Sequence, residues 1–209
     1  MPDETRFAGA GRPSFFEGWE GIVLIAATYV YFLIFAQFGF LKRLSEFGIA
    51  ESALPAIMGA MAIGGVSMSL LAPRSRLWNC PDCRLQTGLI GCALGAVWSL
   101  FPLNTYSAIV AALVIGSSLG LLTVTLVASL PRWIGFRQPL INIGLGTGIG
   151  YFLCNFPPLF TASPHWIAVC AGICCIVALI VAWSSPVVYT PPASVEPARG
   201  KAGPGLAKR

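Results

Sequence analysis

Cys80-Pro-Asp-Cys83 places two thiols at a spacing that suits half of a tetrahedral zinc site, a redox pair or a plain structural turn. A complete zinc site needs two further ligands. No second cysteine pair occurs in another segment between apolar runs, so a metal held by Cys80 and Cys83 would be shared between two subunits. A second group of chemically apt residues is polar but uncharged and lies inside apolar sequence. Thr147, Tyr151 and Asn155 recur at i, i+4 and i+8, along one face of a helix. Ser118, Thr125 and Ser129 share a face by the same arithmetic, and so do Tyr29 and Gln37. An unpartnered polar group in lipid is costly and seeks a partner or a cavity. Gln37, Tyr151, Asn155, Thr147, Ser118 and Thr125 are therefore candidates to line a polar pathway. The structural alternative is interhelical hydrogen bonding worth about 1 kcal/mol per contact.

The missing residues narrow the chemistry. None of the apolar runs contains Asp, Glu, Lys, Arg or His, the residues that proton relays and many ion-coupled sites use. His165, the only histidine, adjoins Trp166 at the edge of a run, where an interfacial structural role is expected. With no second histidine or acidic cluster there is no catalytic constellation, so no enzyme activity and no cofactor is expected. Cys92, Cys154, Cys170, Cys174 and Cys175 lie in apolar runs and read as small hydrophobes.

The elements that must carry these residues are membrane helices. The chain has 209 residues, 56% hydrophobic and 10% charged, against roughly 25% charged in soluble domains. Six apolar runs approach the ~20 residues that cross a bilayer: about 21–41, 53–72, 85–103, 106–130, 140–160 and 166–184. Backbone groups in lipid must be satisfied within the span, and no run alternates in polarity as a barrel strand would, so an all-helical bundle is expected. Residues 1–20 form a polar tail ending in Phe15, Phe16 and Trp19. They lack a basic and then apolar signal pattern, so the first span is expected to stay in the mature protein. Residues 185–209 read as a disordered basic tail, rich in Pro, Gly and Ala.

Orientation follows from charge. Eleven Lys and Arg fall in the two tails and the turns after spans two and four, against two in the turn after span one. The positive-inside asymmetry predicts that both termini are cytoplasmic, in the inner (plasma) membrane of the cell. The net charge of +5 is accounted for by these turns and tails, and no nucleic-acid partner is implied. Pairs of small residues four apart, Ala60/Gly64, Gly65/Ser69, Gly91/Gly95, Gly116/Gly120, Gly144/Gly148 and Gly146/Gly150, predict close helix packing.

Six spans, charged turns after the second and fourth, and a minimal turn at Asn104-Thr105 resemble one half of a major facilitator superfamily transporter. Residues 52–76 resemble its second helix and following loop. The stretch SLPRWIGFRQPLINIGLGTGIGYFLCNFPPLF from Ser129 looks like its fourth-to-fifth helix passage. The resemblance implies a gate loop in which Ser69 stands at the family's Gly, Pro73 at its Asp and Arg74 at its Arg. Only the arginine is retained.

Family members bind substrate between two such halves. The C-terminal tail is no long central linker, so the chain reads as complete and half-sized. The resemblance therefore implies a protomer that pairs with a second copy, or with another membrane subunit, to move a small solute. The alternative is a non-transporting integral membrane subunit or assembly factor of a larger complex.

Overall fold

The computed structural model describes residues 18–74, 80–134 and 138–184, in which every regular element is helical. We number them α1 (Trp19–Glu46), α2 (Glu51–Leu71), α3 (Pro81–Trp98), α4 (Thr105–Ile134), α5 (Pro139–Cys154) and α6 (Pro164–Ser184). A single helical turn, Pro157–Phe160, lies between the last two. Among the described residues α1, α2, α4 and α6 are long and apolar enough to cross a membrane, and the chain is an integral membrane protein. Phe15, Phe16, Arg76, Arg137 and the expected disordered tail lie outside the described residues.

Several boundaries differ from the sequence expectation, each for a local reason. The first span is expected to end near Leu41, but α1 continues through Lys42 and Arg43 to Glu46. It ends in a Schellman motif: the Ile49 N–H reaches the Leu44 carbonyl at 3.2 Å and Gly48 N–H reaches Ser45 at 3.0 Å, with Gly48 at φ 70°. Helix α3 begins at Pro81 rather than Leu85, taking Asp82 and Arg84 into its first turn, and stops at Trp98 rather than Leu103.

Helix α4 begins at a reciprocal cap. Asn104 Oδ1 accepts the Ser107 N–H at 2.8 Å, and Ser107 Oγ accepts the Asn104 N–H at 2.9 Å. The helix continues through Pro131 to Ile134, beyond the expected end at Leu130. A side-chain splint spans the proline, with Trp133 Nε1 donating to Ser129 Oγ at 3.1 Å and Ser129 Oγ donating to the Thr125 carbonyl at 2.7 Å. Helix α5 covers 16 residues and stops at Cys154, not Phe160. Pro157 and Pro158 lack N–H donors, and Phe156 takes the extended backbone (φ −72°, ψ 114°) that a residue before proline prefers.

Within α1 the nine residues Tyr31–Gly39 are wound as a π-helix. They carry Tyr31 and Phe35 into the core, where the Tyr31 hydroxyl donates to the Cys92 carbonyl at 2.7 Å. The same core takes in Leu85, Leu89 and Ala96 of α3, Ala111, Ala112 and Ile115 of α4, and Ile167, Ala171 and Cys175 of α6, among others.

Six pairings of helices dominate the bundle: α2 with α4, α3 with α4, α3 with α6, α1 with α6, α1 with α5 and α1 with α4. Exchanging helices 1, 2, 3 for 4, 5, 6 maps this set onto itself. The α2–α4 pair is the closest. Gly116 lies against the carbonyl of Met61 and Gly120 against that of Gly65, while Gly64 would place a Cβ 2.7 Å from the Leu113 carbonyl. Gly91 and Gly95 similarly seat against Ser118 and Ile115, and Gly146 and Gly150 against Ile25 and Tyr29. Gly144 and Gly148 differ, because among the described residues nothing lies within 4 Å of a Cβ built on either. No described residue packs on their face of α5.

Arg43 ties the end of α1 to the turn after α3. Its Nε and Nη2 donate to the carbonyls of Ser99 (3.1 Å) and Leu100 (3.0 Å), Nη1 pairs with Glu46 at 2.7 Å, and the guanidinium lies 4.4 Å over the Phe47 ring. These contacts satisfy carbonyls at a helix end that would otherwise lack partners.

The two classes of glycine predict opposite outcomes. Gly116→Val should lower stability by at least about 1–3 kcal/mol, the usual cost of overpacking, because backbone atoms of α2 cannot move aside as a side chain would. Gly148→Ala should be neutral or stabilising by up to about 1 kcal/mol. Thermal unfolding in mild detergent checks both, and equal tolerance at the two positions would contradict the packing described.

Candidate functional site

Two grooves flank the π stretch of α1. The smaller, about 240 Å³, lies between α1, α5 and α6 and is bordered by Phe38, Lys42, Tyr151, Cys154 and Asn155. The larger, about 790 Å³, lies between α1, α2 and α4. Its floor is formed by Gly65, Gly116 and Gly120, its walls by Phe32, Met58, Met61, Val66 and Leu70, and its few polar groups are Gln37, Ser69 and Thr123. The shape follows from the packing: glycines let α2 and α4 touch, so their large aliphatic side chains project sideways toward α1. Phe38 borders both grooves.

The candidate pathway residues separate into three places. Gln37 is exposed on the larger groove. Tyr151 and Asn155 border the smaller one, where the Tyr151 ring lies 5.6 Å from that of Tyr29 and Asn155 Nδ2 donates to the Tyr151 carbonyl at 2.9 Å. Thr147 is half-buried on the same helix and borders neither groove. Ser118 and Thr125 are buried at 9% and 4% exposure, and neither faces a groove. Ser118 lies against Gly91 of α3, and the Thr125 hydroxyl has no hydrogen-bond partner among the described residues.

The expected common face of Tyr29 and Gln37 is not formed. Tyr29 turns to Gly150 and Tyr151 of α5, and Gln37 turns to α2 and α4. Counting by 3.6 residues per turn fails here because Tyr31–Gly39 is wound more loosely than an α-helix.

The expected gate-loop residues sit at the end of α2. Ser69 Oγ donates to the Gly120 carbonyl at 3.3 Å, which adds to the α2–α4 seam. Pro73 and Arg74 are exposed, and Arg74 reaches back to the Leu70 carbonyl, at 3.3 Å. The charge contact between helices at this end is instead Asp82 with Arg132, which sequence reasoning missed. Arg132 Nη1 lies 3.3 Å from Asp82 Oδ1, and Nη2 donates to Oδ2 at 3.4 Å. Opposite charges near the start of α3 and the end of α4 were the available signal, but only antiparallel packing brings them together.

Asp82 stands between the two exposed thiols. Cys80 is the N-cap of α3, and Cys83 lies in its first turn. The Cys80 thiol is held below its ordinary pKa, first by the Cys83 thiol and next by the Cys83 amide. The same thiol contact pushes Cys83 up. Among the described residues no group of three or more His, Cys, Asp or Glu side chains is placed to hold a metal. His165 is exposed, its ring 6.3 Å from that of Trp166.

The Asp82–Arg132 contact is partly open to solvent, with side chains 36% and 22% exposed. A double-mutant cycle of Asp82→Asn and Arg132→Gln should therefore return a coupling of only about 0.2–1 kcal/mol. Unfolding midpoints of the four proteins in detergent give that value, and strictly additive losses would mean that the pair makes no contribution.

The chain matches no known protein family, no curated protein is detectably similar to it in sequence, and no solved structure matches its fold.

Proposed function

We propose that the chain is a half-size transporter protomer. Six helices cross the membrane with both termini in the cytoplasm, and two copies enclose a path for a small neutral or apolar solute. The observation that carries this reading is the larger groove beside the π stretch: open, glycine-floored, lined mainly by apolar side chains and touched by Gln37. The exchange symmetry of the helix pairings supports it, since it is the pattern of two three-helix units related by inversion, as within one half of a major facilitator transporter. Helices α3 and α5, of 18 and 16 residues, are short for a ~30 Å layer, and such mismatch is accommodated by local thinning at modest cost.

Pairing is supported by α5. Gly144, Gly148, Tyr151 and Asn155 are spaced as a stripe on its outer side, where the two glycines have no neighbour among the described residues and the two polar residues are exposed. A second copy would give the stripe the close partner that small residues at a membrane interface admit. One observation favours the second reading, a non-transporting subunit or assembly factor of a larger membrane complex. Gln37 and the Tyr151/Asn155 pair lie on different sides of α1, so no one path within a protomer collects them.

Purification in mild detergent followed by flux into liposomes tests both. The first reading expects a homodimer. Gly148→Leu should weaken pairing about ten- to a hundredfold, the equivalent of about 1–3 kcal/mol, while the protomer stays folded. Gln37→Leu should reduce flux with pairing unchanged. Flux indifferent to Gln37→Leu, Tyr151→Phe and Asn155→Leu would sink the pathway assignment, and stoichiometric foreign subunits would favour the second reading.

A further inference from the structure

We infer that Cys80 and Cys83 form a thiol–disulfide exchange pair that reacts with low-molecular-weight disulfides, Cys80 being the attacking sulfur and Cys83 the resolving one. The placement comes from the start of α3. Cys80 has extended backbone (φ −96°, ψ 109°), and its carbonyl accepts the Arg84 N–H at 3.2 Å, as an N-cap residue does. Pro81 follows at the first helical position, where its missing N–H costs nothing. The N–H groups of the first turn have no partners within the helix, and the helix end favours a negative charge. The amides of Cys83 and Asp82 favour the Cys80 thiolate, and the exposed sulfur is open to attack on a disulfide. Cys83, three residues on, returns to the same side of the helix.

Three further observations separate this pair from a structural turn. Cys80 and Cys83 are the exposed cysteines, whereas Cys92, Cys154, Cys170, Cys174 and Cys175 are buried or half-buried. The two thiols contact one another, and the first-turn amides of Cys83 and Asp82 favour the Cys80 thiolate, as an attacking sulfur beside a resolving one requires. Asp82, whose carboxylate opposes a thiolate on either neighbour, is engaged by Arg132 at 3.3 Å. Arg132 is thus a positioning residue that draws the carboxylate's charge away from the sulfurs. A metal site would need ligands that the described residues do not bring here, and exchange needs only the two thiols.

The chemistry balances without a further reagent. The Cys80 thiolate attacks one sulfur of R–S–S–R, forms a mixed disulfide and releases RS⁻, which takes up a proton. Cys83 then loses its proton, and its thiolate attacks the Cys80 sulfur. The Cys80–Cys83 disulfide closes and the second RS⁻ leaves to be protonated. The protein dithiol is oxidised by two electrons and the small disulfide is reduced to two thiols. On the cytoplasmic side proposed above, the reducing thiol pool would reopen the bond, so the pair cycles. That last point rests on the proposed orientation, and the exchange itself does not.

The test uses the full chain in detergent, glutathione disulfide as the probe and residue-level mass spectrometry as the readout. Wild type should close the intramolecular disulfide and retain no glutathione. Cys83→Ser should trap glutathione on Cys80 at least about tenfold more than Cys80→Ser traps it on Cys83, because the attacking thiolate sets the rate. Arg132→Gln should slow the trapping in a Cys83→Ser background and move the pH midpoint of Cys80 carbamidomethylation upward, with helicity unchanged by circular dichroism. A merely structural arginine would leave that midpoint alone. Equal trapping at the two positions, or no intramolecular disulfide at any glutathione poise, would overturn the assignment.

Discussion

Everything in this bundle depends on how closely the backbones of α2 and α4 can approach. Lipid tails are as apolar as leucine, so burying apolar side chains gives membrane helices little reason to associate, and packing has to supply it. Gly64 and Gly65 on one helix and Gly116 and Gly120 on the other remove the side chains that would hold the backbones apart. Helix α4 also receives α3 along Gly91 and Gly88 and touches α1, so it is the post on which the other helices are hung. Its 30 residues pass through Pro131 without breaking because Thr125, Ser129 and Trp133 brace the last turns.

The close seam has a consequence beside it. Side chains excluded from the α2–α4 contact are left projecting toward α1, and α1 does not fill the space because its middle is wound as a π-helix. One irregular segment thus creates a groove, turns Gln37 into it and carries Tyr31 and Phe35 to the opposite side, into the core. Loosely wound turns in an otherwise regular helix are often found at functional positions, and here the irregularity borders both grooves.

The end of the bundle at which α3 starts is organised differently, by charge and sulfur. Asp82 and Arg132 link α3 to α4 where neither helix has glycines to offer, and the same aspartate separates Cys80 from Cys83. Structural and reactive roles therefore meet in one turn. The arginine that steadies two helices also shields two thiols from a carboxylate.

Composition alone determined that the chain is helical and membrane-embedded, since only helices satisfy their own backbone in lipid and the apolar runs are long enough to require it. Spacing of small residues was equally legible, and Gly116/Gly120 and Gly91/Gly95 pack as their four-residue interval implies. That interval says nothing about whether a partner is present, however, and Gly144/Gly148 has the same spacing with no described residue beside it. Helix ends were read less well. Proline stops α5 but not α4, because the bracing side chains of α4 come from residues whose hydroxyl and indole positions are fixed only once the helix exists. The candidate site was legible as residue types but not as a place. Tyr29 and Gln37 were put on one face by an α-helical period that the π stretch does not obey, and Asp82 and Arg132 are 50 residues apart in sequence. Local periodicity can be read along a chain, whereas convergence between helices depends on their rotation and relative height, and those are decided by the packing of the whole bundle.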